Sequence, residues 1–132
     1  MLNRRHVFGA VLVIMAALSG ASLASAMEAK PFDPAAFAAA QAAGKPILIH
    51  VTAPWCPTCK AQAPILSRLL SDPRFKDLLT FDVDFDTQKD LLNRFQVRVQ
   101  STMIVFKGEH EAGRSTGDTN TASIEALLTK AI

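Results

Sequence analysis

Residues 53–60 read Ala53-Pro54-Trp55-Cys56-Pro57-Thr58-Cys59-Lys60, and they hold both cysteines of a 132-residue chain. Three chemistries compete for such a pair: a structural staple, a metal clip and a redox couple. Two cysteines three positions apart close too small a loop to brace a fold, which weakens the staple. The flanks favour the redox couple. Upstream, Ile47-Leu48-Ile49-His50-Val51 is a run of aliphatic and β-branched residues that predicts a buried central strand. Downstream, Ile65, Leu66, Leu69 and Leu70 make the apolar stripe of a helix running from about Cys56 to Leu70, with Pro64 inside it. The cysteines therefore sit where a strand hands over to a helix. A helix N-terminus offers free N–H groups and the positive end of its dipole, and both favour a thiolate at Cys56.

Working outward, Asp33-Pro34 reads as a cap and first residue of an Ala-rich helix around Phe37 that Gly44 ends. Ser71-Asp72-Pro73 restarts a short helix through Phe75 and Leu78. In Thr80–Phe85, Phe81, Val83 and Phe85 alternate with Asp82 and Asp84, which is strand periodicity. Thr87–Phe95 predicts a helix and Met103–Phe106 a strand. Gly108 and Gly113 bracket a turn and a short edge strand through Arg114. Asn120 or Thr121 opens a last helix with Ile124, Leu127 and Leu128 inward. The order is α-β-α-β-α-β-β-α, an α/β fold. It predicts parallel pairing for strands separated by helices and a hairpin for the last two.

The chain starts differently. Asn3-Arg4-Arg5-His6 is basic, Val7–Leu18 is almost wholly apolar, and Ala24-Ser25-Ala26 is a small-x-small cleavage site. This layout predicts a secretory signal peptide over residues 1–26. An uncleaved membrane anchor is the alternative. The arginine pair fits a twin-arginine route only loosely, so the general secretory route is favoured. Cleavage leaves a single domain, residues 27–132. Its Lys+Arg and Asp+Glu balance, and with no basic run there is no reason to expect nucleic acid as a partner.

The pattern resembles the thioredoxin family. Residues 53–60 look like its active-site segment, Pro64 like its helix proline, and Phe81-Asp82-Val83-Asp84 like its third strand. Thr102–Gly108 resembles the strand and turn after its cis-proline, and Gly117 a glycine before its last helix. The resemblance covers essentially residues 27–132, with the first strand short or missing. It implies a thioredoxin fold: one domain with a central mixed sheet flanked by helices. It also implies thiol–disulfide exchange without a cofactor other than the Cys56–Cys59 disulfide. Cys56 is expected to be exposed and attack first, and Cys59 to be shielded and resolve the mixed disulfide. Trp55 is expected to cover the sulfurs and offer apolar surface to a client. Pro57 removes one N–H from the helix start, and Thr58 is placed to supply a hydroxyl near Cys56.

Two positions depart from the family. Ser101, before Thr102, stands where the cis-proline should be. A non-proline cis bond costs about 3 kcal/mol, so a trans peptide is expected. The expectation includes a hydroxyl or free N–H near the sulfurs. His50 replaces the buried acid six residues before Cys56. It is either a proton shuttle for Cys59 or an inert core histidine bonded to a backbone carbonyl. Asp82, Asp84 and Asp86 read as a solvated acidic face, and His110 as a residue of an exposed turn.

The leading expectation is an exported, periplasmic thiol–disulfide oxidoreductase that acts on protein disulfides or thiols as a monomer. With no room for the inserted helical domain of the strong periplasmic oxidases or the dimerisation module of the isomerases, reduction is favoured. That role implies a membrane electron carrier as a partner, because the compartment is oxidising. The alternative is a metal-binding or metal-delivery protein holding copper(I) or zinc through Cys56 and Cys59.

Overall fold

The computed structural model describes residues 29–132, so the expected signal peptide lies outside the described residues. The elements are β1 (Lys30–Pro31), α1 (Pro34–Ala42), β2 (Pro46–Thr52), α2 (Pro57–Leu70), a 3-10 turn (Pro73–Phe75), β3 (Leu79–Asp84), α3 (Lys89–Phe95), β4 (Thr102–Lys107), β5 (His110–Thr116) and α4 (Thr121–Thr129). The first strand is present but only two residues long.

Local punctuation sets most helix starts. The Asp33 carboxylate accepts from the N–H groups of Ala35 and Ala36 at 2.9 and 3.2 Å, and Pro34 takes the first helical position. Asn120 caps α4 through the Ser123 N–H. Gly44 follows the end of α1 with φ +68°, the left-handed conformation that suits glycine there. Removing the first cap in Asp33→Ala is expected to cost about 1 kcal/mol, read as a lower midpoint in urea unfolding. An unchanged midpoint would mean that α1 is held by packing alone.

The sheet runs β1-β3-β2-β4-β5. β2 pairs with β3 in parallel, and β4 pairs with β5 as the expected hairpin. β4, however, runs antiparallel to β2, although a helix separates β3 from β4. β3 ends at Asp84 beside Thr52, and β4 begins at Thr102 beside Val51, so the chain re-enters the sheet at the end where it left it and runs back. Gly113 lies within β5 rather than at its border. A Cβ there would meet Leu127 Cδ1 at 3.0 Å, so the missing side chain lets α4 pack close.

Two cores flank the sheet. Ile47, Ile49 and Val51 of β2 join Phe32, Phe37, Phe81, Phe95 and Phe106 on one face. Phe37 has edge-on contacts with Phe81, Phe95 and Phe106. Leu48 faces the other way, with Leu66, Leu69, Leu70, Ile124 and Leu128 from α2 and α4. Strand alternation then assigns His50 to the Leu48 face, beneath α2. His50 lies beside Asp82 in the β2–β3 register, and Leu48 beside Thr80. Three polar side chains thus share one face under α2, the helix that carries the cysteines.

Candidate active site

β2 ends at Thr52, and a tight turn places Cys56 as the N-cap of α2. Pro57 takes the first helical position, where its missing N–H leaves no bond unmade. Cys56 and Cys59 form a disulfide with Cα atoms 5.3 Å apart. Cys56 Sγ also accepts the Cys59 N–H at 3.0 Å. The hydrogen bond on this sulfur comes from the helix backbone, while the half-buried Thr58 makes no side-chain bond to it.

The expected exposure of Cys56 is corrected by the structure. In the disulfide form Cys56 is 0 % exposed and Cys59 4 %. The cross-link draws both sulfurs into a small cluster with Ala53, against which Phe85 packs. The large exposed hydrophobic side chain beside the cysteines is Trp55, which is 54 % exposed. The Trp55 indole N–H donates to Asp86 Oδ2 at 2.8 Å, and its ring meets Phe85 edge-on. Trp55 is pinned by its polar edge and open to solvent.

The acidic row is more than a solvated face. Asp86 holds Trp55. Asp84 Oδ1 accepts the N–H groups of Asp86 and Thr87 at 2.8 and 2.9 Å, while Gln88 Oε1 accepts the Asp84 N–H. These bonds keep residues 84–88 in a turn, so α3 starts at Lys89 rather than Thr87. The Thr87 N–H, with that of Asp86, holds the Asp84 carboxyl below the usual carboxylate range. A depressed value means that this turn is stabilised above the ordinary value of 3.8 and loses that support as pH falls through the lower folded one. Asp84→Asn is expected to flatten the fall of Tm with acid in this range, measured by thermal melts across pH. An unchanged acid slope would refute the assignment.

Ser101 has no cis bond; among the described residues every peptide is trans. It is instead left-handed, with φ +59°. Neither of its polar groups is free for the sulfurs. Its N–H donates to Val51 O at 2.8 Å, and its hydroxyl to Gln100 O at 2.5 Å. Its carbonyl accepts from the Gly117 N–H and from Gln62. Thr102 is buried and donates its hydroxyl to Val99 O at 2.7 Å, which braces the same loop.

His50 is 6 % exposed and, among the described residues, is bonded to no backbone carbonyl. Its Nε2 lies 3.0 Å from Gln62 Oε1, and its Nδ1 lies 3.6 Å from Asp82 Oδ1. The second distance is long for a hydrogen bond. A cavity of about 290 Å³ is lined by His50, Thr52, Cys59, Ala63, Thr80 and Asp82 among others. Thr80 Oγ1 and Asp82 Oδ1 have no hydrogen-bond partner among the described residues. The rest of the lining is largely apolar, with Ala63, Leu66 and Leu70 among it, so the polar atoms of His50, Thr80 and Asp82 stand out beside Cys59.

Sequence reasoning missed Gln62. It is 0 % exposed and has partners at three sites: His50, Ser101 and Asp118. A signal for it existed. Cys59, Gln62, Leu66 and Leu69 follow the three-and-four spacing of one helix face, and a polar residue on that stripe must find partners inside. His110 is exposed, as expected. Among the described residues no group of three or more His, Cys, Asp or Glu side chains converges as metal ligands would.

A cysteine pair closed as a disulfide at the first turn of a helix, at the carboxyl end of a central strand, belongs to the class of thiol–disulfide oxidoreductases. The thioredoxin family profile matches residues 28–130, and the chain belongs to the thioredoxin family. It is 35 % identical over 92 residues to the H-type thioredoxin of Brassica campestris, covering 70 % of this chain and 72 % of that one. It is 34 % identical over 92 residues to the bifunctional thioredoxin reductase/thioredoxin of Mycobacterium leprae, a match to 70 % of this chain but 20 % of that longer protein. Among solved structures, Trxlp from Edwardsiella tarda EIB202 is similar with a TM-score of 0.74 and 42 % identity, over 76 % of this chain and 98 % of that one.

Proposed function

We propose that the chain is an exported reductase of protein disulfides, working as a monomer and re-reduced by a membrane electron carrier. Cys56 attacks the client disulfide, and Cys59 resolves the mixed disulfide. The observation that carries this assignment is the bond from the Cys59 N–H to Cys56 Sγ at the helix N-cap. It favours negative charge on Cys56 and so makes it the nucleophile and the better leaving group. Because the disulfide is buried, exchange requires the segment around Trp55 to yield, and the exposed Trp55 and Val99 supply apolar ground for a client.

The direction rests on what the connections can hold. None between the described elements is long enough for an inserted helical domain, the addition that marks the strong oxidases this family resembles. Export rests on the basic and apolar pattern of residues 1–26. An exported reductase in an oxidising compartment needs a supply of electrons, hence the membrane partner.

The test is the equilibrium potential of the Cys56/Cys59 couple, with insulin reduction and copper(I) titration alongside. A potential near about −270 mV with insulin turnover is expected, and a value near about −120 mV would replace the reductase with an oxidase. Tight 1:1 copper binding without turnover would replace it with a metal carrier.

A further inference from the structure

Gln62 is a buried amide on an otherwise apolar helix stripe, and all of its side-chain bonds are specified. Its Nε2 lies 3.1 Å from Ser101 O and 2.9 Å from Asp118 O. Carbonyl oxygens only accept, so the NH₂ end faces them and spends both hydrogens there. The other end is fixed by elimination. Oε1, an acceptor only, meets His50 Nε2 at 3.0 Å. His50 Nε2 must therefore carry a hydrogen and donate it. In the neutral ring that leaves Nδ1 bare, facing the buried Asp82 Oδ1 at 3.6 Å, which has no hydrogen-bond partner among the described residues.

We infer that Gln62 is a positioning residue for disulfide exchange. It commits the His50 ring to the Nε2–H tautomer, so that Nδ1, beside Asp82 and the Cys59-lined cavity, is the site that takes the proton Cys59 releases. This inference rests on Cys59 being the resolving thiol. In that step the Cys59 sulfur bonds to Cys56, and the bond between Cys56 and the client sulfur breaks. The client leaves as a thiolate with the electron pair, and the Cys59 proton passes to Nδ1 directly or through water. When the disulfide is next reduced, Nδ1 returns the proton to Cys59.

The surroundings of the ring fit this role. Beside it, β3 presents Asp82 and β4 presents Met103, while α2 presents Cys59 and Gln62. Among the described residues, Asp82 is the carboxylate next to Nδ1, at 3.6 Å, and Cys59 lines the same cavity. Gln62 also ties the ring to Ser101, the loop residue that stands where the family pattern has proline. Two positions that look unrelated in sequence are two ends of one buried network.

The test uses the full-length chain. Nitrogen-15 NMR of the His50 ring in the reduced protein is expected to show hydrogen on Nε2 in the neutral form. A neutral ring with hydrogen on Nδ1 would overturn the inference outright. In Gln62→Met, which keeps bulk but no hydrogen bonds, the tautomers are expected to mix. Resolution of a Cys56 mixed disulfide should then slow by about 10-fold, part of the range of a positioned general base. Gln62→Glu keeps an oxygen that accepts from Nε2–H and should hold the tautomer, although it loses the donors to Ser101 O and Asp118 O. Unmixed tautomers, or no slowing, in folded Gln62→Met would reduce Gln62 to packing. The tautomer is read without turnover. An Nε2–H ring in a chain that reduces no disulfide would overturn the reductase and its proton step while leaving the positioning of His50 in place.

Discussion

Cys59→Ser is expected to stop the cycle halfway, with a client cysteine still joined to Cys56. The argument combines position and proton balance. Cys56 caps α2 and receives a backbone N–H on its sulfur, which under the proposed function makes it the sulfur that opens a client disulfide. The adduct is then a substrate for a second sulfur, and Cys59, whose Cα is 5.3 Å away, is the one in reach. A serine hydroxyl there does not displace a disulfide sulfur. Turnover should fall to the uncatalysed level, and intact-mass analysis should find protein plus one client. Cys56→Ser should lose turnover equally but collect no adduct. An adduct that forms on Cys59 in Cys56→Ser, and none on Cys56 in Cys59→Ser, would reverse the two roles.

Restoring the family's proline at position 101 is expected to destabilise the protein, by about 3 kcal/mol. Ser101 has φ +59°, whereas proline is held near −65°. Ser101 also donates its N–H to Val51 O at 2.8 Å, at the end of the central strand. Proline has no N–H, so the Val51 carbonyl would lose that partner as well. For a domain of this size the loss corresponds to a fall in Tm of roughly 12–24 °C, read by thermal melts. Ser101→Gly, which accepts positive φ without strain, should stay within about 1 kcal/mol of the wild type. A Ser101→Pro protein as stable as the wild type would mean that this loop can take up the family's own geometry.

The two predictions differ in how visible their basis was in the sequence. Cys56 and Cys59 were legible because a strand run, a four-residue motif and a helix stripe are contiguous, and local physics places the pair at the helix start. Asp33-Pro34 and Asn120 marked helix starts for the same reason. The alternation of Phe81, Val83 and Asp82 gave the faces of β3. What escaped depends on segments distant in sequence. The direction of β4 follows from where the chain re-enters the sheet, at the same end of β2 as the end of β3. The burial of Cys56 follows from the closed disulfide and its neighbours Ala53 and Phe85. Gln62 has partners 12, 39 and 56 residues away, and no spacing rule reaches that far. The N–H of Ser101 was expected to be available, yet Val51 uses it.

Trp55 gives the protein a native optical reporter. The chain has one tryptophan and no tyrosine, so its near-ultraviolet emission arises almost entirely at residue 55. That indole sits next to Cys56 in sequence and is held by Asp86 through its N–H. Opening or closing of the disulfide, and arrival of a client on the exposed ring, should therefore register as changes in a single-site spectrum. Redox titrations and binding kinetics can be followed on the unlabelled chain, with the signal originating at the catalytic corner itself.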